Sequence, residues 1–138
     1  AELGLPVGFH NHMDQWGEQP EEIDAILAAS DPRHVKFLID VGHYRAAGGD
    51  PAKAIRKHGK RLLMMHLKDV ALEPGKGHHF VPLGQGVVDF PGVFAALKAV
   101  KYRGWAVVEL DSAPVGVAPK DAAASNKAFV ETTVGVKV

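Results

Sequence analysis

Four apolar runs, each too short for a helix of ordinary length, constrain this chain more than any other feature: residues 5–9, 35–39, 62–67 and 105–110. None alternates cleanly between apolar and polar positions. A strand with one face in water alternates, whereas a strand covered on both faces reads as a continuous apolar stretch, as in a parallel sheet flanked by helices. The segments between the runs carry helical signals. In residues 20–29 a proline precedes Glu21 and Glu22 in the first turn, with Ile23, Ile26 and Leu27 on one face. Asp50 and Pro51 read as cap and first position of a helix to His58, with Gly59 as its stop. Pro91 opens a third helix with Val93, Phe94, Leu97 and Val100 inward, and residues 120–132 form a fourth, with Phe129 inward and Gly135 beyond its end.

The order is therefore β-α repeated four times, which predicts parallel strands joined by right-handed crossovers in an α/β fold. Four such units make half of a (β/α)8 TIM barrel, whose full form takes roughly 250 residues. The 138 residues are expected to be one domain, a half barrel completed by another chain or by a missing segment; a smaller open sheet is the alternative. The first residue is not methionine and a strand-like run begins almost at once, as expected of a sequence that starts inside a longer protein. Residues 70–89, with Gly75, Gly77, Gly84 and Gly86, read as an irregular loop over the mouth of the site.

Sixteen basic residues balance sixteen acidic ones, so nothing favours sequence-independent binding to nucleic acid or anionic lipid, and the expected partner is a small molecule. The absence of cysteine excludes disulfides and thiolate ligands and fits a reducing compartment, with cytoplasm as the default. No run of about 18 apolar residues predicts a membrane span, and residues 1–12 have neither the basic start nor the apolar stretch of a signal peptide.

Each strand-like run ends at or beside a residue that can bind a metal: His10, Asp40, His66 and Glu109, spaced by 30, 26 and 43 residues. In a parallel β/α arrangement these ends share one face, where active sites are built. Nitrogen and oxygen ligands without sulfur suit one divalent ion, Mn²⁺, Mg²⁺, Co²⁺ or Zn²⁺. Each residue also has a plainer reading. Asp40 fits a helix cap or turn, and His66 a satisfied core histidine. Glu109, between Val108 and Leu110, reads as a buried carboxylate that needs a partner. Four ligand-type residues at four strand ends favour the metal site.

The stretches Gly8-Phe9-His10-Asn11-His12, Ile39-Asp40-Val41-Gly42-His43, Met65-His66-Leu67-Lys68-Asp69, Pro82-Leu83-Gly84-Gln85-Gly86 and Val108-Glu109-Leu110-Asp111, with Ala47-Gly48-Gly49-Asp50-Pro51 after the second, resemble the xylose-isomerase-like barrels. That superfamily contains sugar isomerases, epimerases and inosose dehydratases, and the inosose dehydratase pattern is the nearest. The resemblance covers nearly the whole chain and implies the C-terminal half of such a barrel. It implies that Asp40, His66 and Glu109 bind the metal and that His43 and Lys68 contact substrate. Many members carry a glutamate where His10 stands, which leaves His10 as a metal ligand, a proton-transfer group, or neither.

These parts point to a metal-dependent isomerase or epimerase acting on a keto-sugar or related polyol ketone through an enediolate, with an inosose dehydratase-type lyase as the alternative. Glu109 is the candidate base, and His10, His12 or His43 the group that returns the proton. Trp16 is placed at the pocket wall, and His78 and His79 near substrate or in a solvated loop. Lys68-Asp69 reads as a substrate lysine with an orienting carboxylate. His34 and His58 read as surface residues. Gly84-Gln85-Gly86 lacks the third glycine and the strand-to-helix setting of a dinucleotide site. Two further classes stay open: an apurinic-site endonuclease, disfavoured by the neutral charge, and a non-catalytic half barrel whose exposed edges pair with another chain, making a homo-oligomer.

Overall fold

A computed structural model describes residues 3–75 and 77–135. From the N-terminus, strand β1 (Val7–His10) and helix α1 (Pro20–Ala29) are followed by β2 (Val35–Asp40), α2 (Val41–Ala46) and α3 (Pro51–His58). After one 3₁₀ turn (Gly59–Arg61) come β3 (Leu62–Leu67), β4 (Asp69–Glu73), β5 (Gly77–Val81), α4 (Phe90–Ala99), β6 (Trp105–Val108) and α5 (Pro119–Val134). Strands β1, β2, β3 and β6 lie side by side in that order, every pair parallel. The expected half barrel of β/α units is thus present.

The helix starts follow from their caps. Asp50 accepts from Lys53 N–H ahead of Pro51, and Asp89 accepts from Gly92 N–H ahead of Pro91, each filling a first-turn donor that has no partner within the helix. Helix α5 stops at Gly135, whose φ of 73° is a left-handed conformation that glycine adopts without steric penalty. Its Phe129 meets the ring of Phe90 edge-on, 5.3 Å between centroids.

Period-two geometry assigns the two faces of the sheet. Phe37, Ile39, Met65 and Leu67 point into a core closed by Ile23 and Leu27 of α1, Ile55 of α3, and Val93 and Ala96 of α4, all at most 3% exposed. The opposite face carries His10, aligned with Leu38; Asp40, aligned with His66; and Val107, also aligned with His66. Glu109 stands two residues past Val107 and extends the ladder by donating its N–H to Leu67 C=O at 3.0 Å. All four candidate ligands therefore occupy one face at one end of the sheet.

Three expectations are corrected. The stretch 70–89 is not an irregular loop throughout: Val70, Ala71 and Leu72 pair antiparallel with Phe80, His79 and His78 in a β4–β5 hairpin. Glu109 is not enclosed in an apolar strand, because β6 is an edge strand exposed along its length, with Trp105 79% exposed and the Glu109 side chain 38%. His58 is not a surface residue. Its side chain is 12% exposed, its Nε2 lies 2.7 Å from Asp24 Oδ1, and its ring meets buried Phe37 edge-on, tying α3 to α1 and β2. His34 is exposed as expected. No helix among the described residues is long and apolar enough to cross a membrane.

Candidate metal centre

Asp40 is the last residue of β2 and the N-cap of α2, and the two positions divide its carboxylate. Oδ1 accepts from His43 N–H at 2.9 Å, which leaves Oδ2 facing the sheet's open end. The helix-cap reading of Asp40 is thus met by one oxygen, and the other is left over for a ligand role. Asn11, 1% exposed, fixes the backbone of Asp40 from β1: its Nδ2 donates to Asp40 C=O at 3.1 Å and its Oδ1 accepts from Asp40 N–H at 2.9 Å.

The centre lies where Asp40 Oδ2, His66 Nδ1 and Glu109 Oε2 meet. His66 Nδ1 stands 2.6 Å from Glu109 Oε2 and 3.7 Å from Asp40 Oδ2. All three atoms are buried, and none makes a well-directed hydrogen bond among the described residues. They are held by close charge contacts, including Lys68 Nζ at 3.3 Å from Glu109 Oε2 and 3.6 Å from Asp40 Oδ2, without the directed bonds that buried polar atoms usually make. A cation at their meeting point would satisfy them together. His10, Asp40 and His66 form the compact group, their ligand atoms all within 4.8 Å of one another and the His10 and His66 rings 5.0 Å apart, and Glu109 adjoins it through His66. Two imidazoles and two carboxylates fit a divalent ion of the Mn²⁺, Co²⁺, Zn²⁺ or Mg²⁺ type.

Charge in the cluster is tightly balanced. Burial raises the Asp40 carboxyl, but His66, the His43 amide and Lys68 outweigh it and hold Asp40 below the usual carboxylate range. His66 is raised by Asp40, against burial, with Glu109 adding to the effect. His10 is lowered, burial outweighing the pull of Asp40. Burial, with Lys68 and His12 adding to it, takes His43 down to about 4.

The groups expected to meet substrate fall into a neighbouring layer. His43 is 1% exposed and accepts from Met13 N–H through Nδ1, and exposed His12 stacks on it with ring centroids 3.8 Å apart. Phe80 of the hairpin meets His43 at 4.5 Å. Lys68 is buried: its Nζ reaches His43 Nε2 at 3.1 Å, Asp111 Oδ1 at 3.0 Å and Glu109 Oε2 at 3.3 Å. Trp16 stands apart from the cluster, 94% exposed. His78 is half-buried against Phe80, and exposed His79 pairs with Glu73 at 3.5 Å.

Asp69 does not orient Lys68. Its fully buried carboxylate accepts four backbone N–H groups, from Val70, Gly84, Gly86 and Val88, at 2.9–3.1 Å. The Gly84-Gln85-Gly86 turn wraps around it, and a Cβ on Gly86 would run into Asp69 Oδ1 and Val70 C=O. Sequence reasoning also missed Asn11, Asp111 and Phe80. The first two lie within quoted motifs, but only strand register shows that they reach Asp40 and Lys68.

Asn11→Ala is expected to weaken divalent-metal binding about tenfold to a hundredfold, the usual range for residues that hold a ligand in place. A Co²⁺ titration followed by visible absorption checks this, and an unchanged affinity would remove Asn11 from the centre.

The comparisons agree with this fold. The family described as xylose isomerase-like TIM barrel matches residues 1–132. An inosose dehydratase from Geobacillus thermodenitrificans is 34% identical over 99% of this chain and 50% of its own length. The rhizopine catabolism protein MocC of Rhizobium meliloti is 37% identical over 83% of this chain and 39% of its own. Among solved structures, a D-allulose 3-epimerase from Methylomonas sp. superposes with a TM-score of 0.76 at 21% identity, over 96% of this chain and 50% of that one. The chain spans about half the length of the curated relatives it matches. With the motifs, the parallel sheet and the family match in agreement, the chain belongs to the xylose isomerase-like TIM barrel family.

Proposed function

We propose that residues 1–138 act as one domain, the C-terminal half of a barrel, and supply the metal centre of an enzyme that removes a proton beside the ketone of a sugar or cyclitol. The observation that carries this reading is the convergence of three buried ligand atoms without a directed hydrogen bond, from Asp40, His66 and Glu109 at the strand ends, with His10 beside them. These four residues would hold one divalent ion. When bound, such an ion supplies Lewis-acid polarisation of the substrate carbonyl and its neighbouring hydroxyl.

The chain's own groups supply the rest. Glu109 takes the carbon-bound proton, its partly exposed carboxylate having a second oxygen besides the one facing His66. Exposed His12, stacked on His43, binds substrate hydroxyls and returns the proton, with His10 as the other candidate for that transfer; His43, its ring nitrogens engaged by Met13 N–H and Lys68 Nζ, holds His12 and Lys68 in place. Lys68, enclosed by its partners, contributes charge rather than an open contact. The exposed edges β1 and β6 are closed by a second half of the same barrel type, as an added segment or a second copy.

Return of the proton to the adjacent carbon or to its original one gives isomerisation or epimerisation. Loss of a β-hydroxyl from the same enediolate gives dehydration. The second outcome is favoured by one observation, the inosose dehydratase at 34% identity. Both follow from a shared first step, so the test reads that step separately. With Mn²⁺ present, incubation of the protein with inososes and keto-sugars in D₂O should place deuterium at the carbon beside the carbonyl, read by NMR. A retained hydroxyl count identifies an isomerase or epimerase, and a product lighter by one water a dehydratase. A metal-loaded protein that exchanges no proton in any of these ketones would contradict the proposal.

A further inference from the structure

Lys68 is 1% exposed, and its surroundings set its role. Helix α2 closes on it so tightly that a Cβ on Gly42 would stand 2.8 Å from Lys68 Cγ and 2.9 Å from its carbonyl oxygen. The side chain can therefore do little but extend along β3's end to the cluster. There the ammonium lies 3.0 Å from Asp111 Oδ1, 3.3 Å from Glu109 Oε2 and 3.6 Å from Asp40 Oδ2, with the Phe80 ring 4.6 Å away. Two of those three oxygens are the ones assigned to the cation. A fixed positive charge in this position draws them together when no ion is bound and repels an ion that arrives.

We infer that Lys68 is the resident counter-cation of the metal centre: it preassembles the Asp40 and Glu109 carboxylates and, in doing so, holds metal affinity below what the same ligands would give without it. This rests on the metal-site reading of the preceding section. The sign follows from Coulomb's law. A monovalent and a divalent cation held within a few ångströms of each other repel, and the repulsion is poorly screened where water is excluded. Removing the lysine leaves Asp40, Glu109 and Asp111 uncompensated, which a divalent ion then corrects. A lysine that merely packed the site would have the opposite effect, because its loss would loosen the ligands and weaken binding.

The opposite signs make the test decisive. Metal-free wild-type protein, Lys68→Met and Lys68→Arg are titrated with Co²⁺, read by visible absorption, and their melting temperatures are taken with and without Co²⁺. Lys68→Met should bind Co²⁺ about tenfold or more tightly than wild type, and its melting temperature should fall without metal and rise further than wild type's with it. Lys68→Arg, which keeps the charge, should stay near wild type. A folded Lys68→Met that binds Co²⁺ equally or more weakly overturns the inference while leaving the metal site intact. A wild-type protein that binds no Co²⁺ overturns both readings. Should Lys68→Met fold only when Co²⁺ is added, the inference is supported. If it folds under neither condition, Asp111→Asn decides, since the Asp111 side chain is 47% exposed and draws the ammonium away from the centre. That variant should bind Co²⁺ about threefold or more weakly, and equal or tighter binding would overturn the inference.

Discussion

Replacing Asp40 by alanine is expected to lower affinity for Mn²⁺ or Co²⁺ by more than about a hundredfold, beyond the range seen when only a supporting residue is lost. The variant removes the one atom, Oδ2, that faces His66 and Lys68 from inside the sheet. It also removes the cap of α2, because Oδ1 accepts from His43 N–H, so about 1 kcal/mol of stability should go with it. Asp40→Asn separates the two effects. The amide oxygen can keep the cap, while the charge and one acceptor at the centre are gone. Calorimetric titration of both variants should therefore show a large loss of metal affinity, and urea unfolding should show a loss of stability mainly in Asp40→Ala. Metal binding by Asp40→Asn at wild-type strength would contradict the assignment.

Asp69→Ala is expected to be the most destabilising single change in the chain outside the apolar core, by about 3–5 kcal/mol. Four backbone N–H groups converge on this carboxylate, two on each oxygen, and each amide left buried without an acceptor costs on the order of 1–3 kcal/mol. Local opening and water entry keep the total below the simple sum. Against a typical stability of roughly 5–15 kcal/mol, such a loss is severe. It should also release the Gly84-Gln85-Gly86 turn and with it the hairpin that lays Phe80 against His43 and Lys68. Urea unfolding with amide exchange at Gly84, Gly86 and Val88 measures both effects. A loss below about 1 kcal/mol would mean that these amides find other acceptors.

The frame of this fold is legible in the residues themselves. Continuous apolar runs such as 62–67 mark parallel strands buried by helices, and the helix starts near Pro20, Pro51 and Pro91 follow from proline and, at Asp50, from a carboxylate cap. The shared location of His10, Asp40, His66 and Glu109 was readable because strand ends in β/α units share a face. What escaped was of two kinds. The β4–β5 hairpin was hidden by its glycines, which supply the turn, with φ of 75° at Gly75 and 91° at Gly77, yet read as signs of irregular chain. The supporting contacts were hidden because they join residues far apart in sequence: Asn11 to Asp40, Lys68 to Asp111, Asp69 to the turn fifteen residues later. Hydrophobic periodicity carries no information about which polar side chain meets which backbone group. His58 was misread for the same reason, since its partner Asp24 lies on another helix. The exposure of Glu109 follows from its place after an edge strand, a fact of sheet order rather than of local sequence.

The central claim is that His10, Asp40, His66 and Glu109 hold one divalent ion at the ends of β1, β2, β3 and β6. Crystals grown with Mn²⁺ and measured at the manganese absorption edge test it most directly. A single anomalous peak within coordination distance of Asp40 Oδ2, His66 Nδ1 and Glu109 Oε2, with His10 beside it, is the predicted result. A peak bound elsewhere on the chain, or no peak at saturating Mn²⁺, would contradict it.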